Sequence, residues 1–209
     1  MITVAVNNNL ASSKYALQLI QNASIYNGLK LAHITPNETV VYYNNKKIPL
    51  RDYIEQIKLH KHPDLLIVEL SKEAMEKAIY ENIKFNIALL FEDTSYDRKS
   101  LFNRGVLPRK LLNMIKANYY IIPESYHKKN KKYITYGWSD DASVSATSAE
   151  VQIDGSLNVQ CCIKSYMPTL EGEVITLREF GIEVPFNDVE ATLAAVATLI
   201  IYGIKLNEN

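Results

Sequence analysis

Cysteine is nearly absent from this chain of 209 residues: two occur, and they are the neighbours Cys161 and Cys162. A disulfide between adjacent residues is geometrically awkward, and two thiols alone make no zinc site. Side chains alternate across a strand, so the pair reads as one buried and one outward thiol. No charged-then-apolar leader opens the sequence, and no apolar run approaches the ~20 residues needed to span a bilayer. Net charge is missing too, since 23 basic and 23 acidic residues cancel. Nothing global directs the chain to nucleic acid or to an anionic membrane. The expectation is a cytoplasmic, reduced protein with neither of these as partner. What is plentiful is apolar surface: 47% hydrophobic with 22% charged residues supplies the core and soluble exterior of one α/β domain.

Local patterns alternate between strand and helix. Ile2 to Val6 is a β-branched run ending in the turn-prone Asn7-Asn8-Asn9. Ala16, Leu17, Leu19, Ile20 and Ala23 then recur at helical spacing, and Asn27-Gly28 closes that helix. Leu29 to Thr35 reads as a strand. Thr39 to Tyr43 and Lys46 to Leu50, joined by Asn44-Asn45, read as a hairpin. Leu50 to His60 returns to helical spacing. Leu65 to Leu70 is apolar except for Glu69, as expected of a parallel strand covered on both faces. Ser71 to Glu81 reads as a helix, Phe85 to Phe91 as a buried strand, Leu107 to Ala117 as a helix and Tyr119 to Ile122 as a strand. This order predicts an α/β fold, a mostly parallel sheet with helices on both faces, over residues 1–127.

The basic run His127 to Lys132 reads as a solvated connector, with phosphate binding as the alternative. Beyond it, Tyr133 to Gly137, Ser143 to Ile153, Leu157 to Ile163 and Glu173 to Leu177 read as strands, with a hairpin turn at Asp154-Gly155. They predict a small antiparallel β segment over 133–187. A closing helix over 188–204 carries the small residues Ala191, Ala194, Ala195 and Thr198 and ends at Gly203.

Ligands of an open parallel sheet bind beyond the carboxyl ends of its strands. After the first strand comes Asn7-Asn8-Asn9-Leu10-Ala11-Ser12-Ser13-Lys14, in the strand-loop-helix position of a phosphate loop. Such a loop needs glycines, so that backbone N–H groups can wrap a phosphate, and a lysine on the terminal oxygens. This one has no glycine, and a helix points Lys14 away from it. The helix N-terminus and the Ser12 and Ser13 hydroxyls remain able to hold an anion weakly. Glu69 either holds a metal or simply ends its strand. The carboxylates of Glu92, Asp93 and Asp97 either bind a cation or form an exposed loop. The four histidines share no spacing, and no nucleophile–base arrangement can be read, so no catalytic residue is assigned.

Taken together, these segments resemble the ATP-dependent Mur ligase superfamily: the peptidoglycan precursor ligases, folylpolyglutamate synthetase and the ligase half of cyanophycin synthetase. Ile2 to Val6 is similar to the strand before that family's TGTNGKT loop. Gly28 to Thr35 is similar to the next strand, and the hairpin around Tyr42 to Lys47 looks most like the cyanophycin synthetase branch. Asp64 to Ser71 (DLLIVELS) is similar to the segment bearing the magnesium-binding glutamate, which falls on Glu69. Asn82 to Ala88 resembles GIKFDIAVFTN, Thr135 to Ala146 resembles TFG…ADVRA, and Asn187 to Ala195 resembles the helix carrying HNxxNALAA.

The resemblance implies a P-loop-like central ATPase domain over 1–209, without the family's N-terminal and C-terminal domains. The departures fall on the chemistry. The loop glycines become Asn8 and Ala11, and the loop lysine becomes Ser12. Asp97 replaces one histidine and Phe186 another, the second asparagine of HNxxN becomes Glu190, and the carbamylated lysine would fall near Arg109 or Lys110. Asn8, Ala11, Ser12 and Ser13 are then a remnant phosphate loop, Asn187 a remnant adenine contact, and Glu69 a remnant magnesium position. Losing the loop lysine alone removes a charge-assisted contact of roughly 1.5–3 kcal/mol. The implied protein is a pseudoenzyme with no cofactor that works through a protein partner or self-association, in the setting of cell-wall or polyamide synthesis. Two alternatives stand beside it. One is an ATP- and magnesium-using carboxylate–amine ligase component completed by other chains; the other is a binder of some other small anion in the same cleft.

Overall fold

In the computed structural model, residues 1–7, 11–35, 40–43, 46–49, 63–70, 83–91, 112, 114–126 and 133–204 are described. The strands are β1 (Ile2–Asn7), β2 (Leu31–Ile34), β3 (Val40–Tyr43), β4 (Lys46–Pro49), β5 (Leu65–Leu70), β6 (Lys84–Leu89), β7 (Lys116–Pro123), β8 (Tyr133–Gly137), β9 (Val144–Val151), β10 (Leu157–Ile163), β11 (Met167–Pro168), β12 (Val174–Ile175) and β13 (Arg178–Val184). Among the described residues the helices are α1 (Ala11–Tyr26) and α2 (Val189–Tyr202), and Glu124–Tyr126 forms a 3-10 turn.

One 11-stranded sheet runs β13-β10-β9-β8-β7-β6-β1-β5-β2-β3-β4, with β11 and β12 paired apart from it. From β9 across to β2 every neighbouring pair is parallel. Antiparallel strands finish both ends, β3 and β4 at one and β10 and β13 at the other. The fold is therefore the expected α/β type with a mostly parallel sheet. β1 lies between β5 and β6, where the strand order turns back on itself, and such a reversal opens a crevice at the carboxyl ends of the strands.

Alternation along each strand sorts the apolar side chains into two cores. Val4, Val6, Leu65, Ile67, Ile87 and Leu89 pack with Ala16, Leu17 and Ile20 of α1 and with nearly all of α2. Ala5, Val68, Leu70, Phe85, Ala88 and Leu90 form the opposite core with Leu112, Ile115 and Ile122. Among the described residues both helices belong to the first face. The helices read at 50–60 and 71–81, and the loop from Glu92 to Asp97, lie outside the described residues. α2 is buried from Ala191 to Tyr202, so its small side chains serve close packing against the sheet and α1. Asp188 caps its start and Gly203, at φ 90°, its end.

Three elements differ from the sequence reading. The helix expected to run to Ala117 ends earlier, because Lys116 and Ala117 pair with Lys84 and Phe85 as the first residues of β7. The Tyr120 hydroxyl fixes that change, accepting from the Ala117 N–H at 3.1 Å and donating to the Ile115 carbonyl at 2.7 Å. The segment expected to be antiparallel over 133–187 opens with two strands that pair parallel, β8 on β7 and β9 on β8, and it continues the main sheet. Finally, the strand expected at Glu173 to Leu177 shrinks to Val174–Ile175, while the strand of that region in the main sheet is β13. Its inward Phe180, Ile182 and Val184 alternate with polar residues around Gly181.

Candidate functional site

Beside β1, several side chains at the strand ends pair with other groups of the chain. Asn7 ends β1 and is 1% exposed. Its amide nitrogen donates to the Phe91 carbonyl at 3.1 Å and its amide oxygen accepts from the Phe91 N–H at 2.7 Å. One side chain thus continues the ladder between β1 and the segment after β6. The Tyr136 hydroxyl donates to the Leu90 carbonyl at 3.0 Å from the other side, so the end of this segment is tied twice.

α1 begins at Ala11, which is exposed, and turns Ser13 fully inward and Lys14 out to solvent. Between them Ser12 donates its hydroxyl to Asp188 Oδ2 at 2.6 Å. Asp188 Oδ1 accepts from the Ala191 N–H at 2.9 Å, the bond that caps α2. One carboxylate therefore serves the first turns of two helices. Next to it the rings of Tyr15 and Phe186 stack, with centroids 4.8 Å apart and planes within 18°. Asn187, between Phe186 and the cap, is exposed.

At the carboxyl end of β5, alternation puts Glu69 on the α1 face with Leu65 and Ile67. It is 5% exposed, and its Oε1 lies 2.6 Å from His33 Nε2 of β2, itself 8% exposed. His33 Nδ1 lies 2.8 Å from the Gln21 side-chain nitrogen of α1. An amide nitrogen can only donate, so Nδ1 accepts and Nε2 carries the proton facing Glu69. Farther along the edge, the Glu124 carboxylate covers Gly137, where a Cβ would strike it, and accepts from the N–H groups of Trp138 at 3.3 Å and Ser139 at 2.8 Å.

The structure thus brings Ala11, Ser12, Ser13 and Asn187 to one corner and Glu69 to the next; Asn8 and the Arg109/Lys110 position lie outside the described residues. Asp188, His33, Gln21 and Tyr15 were not singled out by the sequence reading. Asp188 alone had a legible signal, an acidic residue immediately before a helix. His33 and Gln21 meet Glu69 only through the order of the strands, which spacing along the chain does not reveal.

No family model matches the chain, and no curated protein sequence does. Solved structures do. UDP-N-acetylmuramoyl-L-alanyl-D-glutamate–2,6-diaminopimelate ligase superposes with a TM-score of 0.58 at 16% identity, over 95% of this chain and 42% of that one. A mutant of the Lactobacillus casei folylpolyglutamate synthetase gives 0.62 at 12% identity, over 97% and 58%. Folylpolyglutamate synthase from Thermotoga maritima gives 0.56 at 11%, over 99% and 55%. The chain therefore shares the fold of Mur-type ligases and folylpolyglutamate synthetases, and it spans about half the length of these proteins.

The resemblance read from the sequence implies a magnesium–nucleotide beside β1, and the described residues there offer an anion little. A helix N-terminus favours an anion by roughly 0.3–1 kcal/mol, up to ~2 in partly buried sites. A phosphate charge ~4 Å from the Asp188 carboxylate would be opposed by about 4 kcal/mol at an effective dielectric constant near 20. No lysine stands at Ser12 to reverse that balance, and the Glu69 carboxylate faces an imidazole.

Proposed function

We propose that this chain is a non-catalytic protein with the Mur-ligase fold, acting through contacts with a partner protein or a second copy of itself. The carrying observation is the Glu69–His33 contact at 2.6 Å, which engages the carboxylate that the resemblance would give to magnesium with another side chain of the same chain. The Ser12–Asp188 bond supports the same reading from the phosphate side. Such a protein has no cofactor and no catalytic residue, and Asn8, Ala11, Ser12, Ser13, Asn187 and Glu69 are remnants of a site. Its setting is the cytoplasm, beside the cell-wall or polyamide synthesis served by enzymes of this fold. Among the described residues no helix is long and apolar enough to cross a membrane.

The second reading is an ATP-dependent carboxylate–amine ligase component completed by other chains. It is favoured by a structural neighbour, a folylpolyglutamate synthetase complexed with AMPPCP, that aligns with 97% of this chain at a TM-score of 0.59. Native mass spectrometry and affinity capture separate the two when each is run with and without Mg-ATP. The first reading expects a self-associated species or a stoichiometric protein partner whose retention is indifferent to Mg-ATP. A strictly monomeric chain that retains no partner, or retains one only with Mg-ATP, would count against it.

A further inference from the structure

We draw no further inference here: the strongest candidate, the cleft of about 400 Å³ where β10 ends and β13 begins, lined by Cys162, Lys164, Leu177 and Glu179, rests on a lone half-buried thiol whose charged neighbours pair within the chain, Lys164 with Asp140 and Glu179 with Cys162 itself, and nothing among the described residues shows what would fill it.

Discussion

Asn7 shows how far a single side chain can alter the meaning of a sheet edge. An amide presents one donor and one acceptor, and Asn7 spends both on the main chain of Phe91 in a buried place. Asn7→Ala would strand a buried N–H and a buried carbonyl, so a loss of about 2–4 kcal/mol is expected in urea unfolding. A surface asparagine such as Asn187 should cost under ~0.5 kcal/mol by the same measurement. The cysteines behave as the sequence indicated: Cys161 is buried, Cys162 is half-buried and both are free. Burial pushes the Cys161 thiol up to about 12, aided by its neighbour Cys162. Cys162 is raised as well, first by burial and then by the Glu179 carboxylate. Raised values leave little thiolate near neutrality, so at pH 8 iodoacetamide should label the native protein slowly at Cys162 and not at Cys161. Glu179→Gln is expected to speed labelling of Cys162, and a rate equal to that of a free thiol in the native protein would contradict the assignment. Legibility at this scale was uneven. Ala11 and Ser12 could be singled out along the chain, but the groups that meet Ser12, Tyr15 and Glu69, namely Asp188, Phe186 and His33, come from distant segments. Only the folded topology brings them together.

At the scale of elements, the apolar periodicity found most strands and both described helices, because each has a face buried on one of the two cores. It failed where a tertiary partner decides the conformation. Lys116 and Ala117 carry a helical-looking pattern yet join β7, because β6 offers them a parallel partner. β13 went unread because Gly181 interrupts its alternation, a position where the strand needs no side chain of its own. The sheet ends suit solvent: β13 presents Arg178, Glu179 and Glu183, and β4 contains Lys46, Lys47 and Pro49, charges and a proline that discourage further pairing. The end of α2 gives a direct test. Gly203 adopts φ 90° and its N–H returns to the Leu199 and Ile200 carbonyls. Gly203→Ala is therefore expected to lower stability by about 1 kcal/mol. An unchanged unfolding midpoint would mean the left-handed cap is not required.

The molecule as a whole shares its architecture with ligases of known structure, and at the carboxyl ends of its strands described side chains pair with one another. The core residues that build the sheet and seat α1 and α2 are those the sequence displays most clearly, since hydrophobic patterning is tied to burial. The edge where chemistry would occur has different contents: an asparagine ladder at Asn7, a carboxylate between two helix starts, an aromatic stack and a glutamate facing a histidine. Each pairing satisfies polar or aromatic groups from within the chain. The measurement that bears most directly on this is the thermal midpoint of the full chain with Mg-ATP raised to millimolar concentration. A ligand that binds only the native state at 100 times its dissociation constant would add about 2.7 kcal/mol. The account expects no saturable shift; a rise of several degrees that saturates below millimolar Mg-ATP would contradict it.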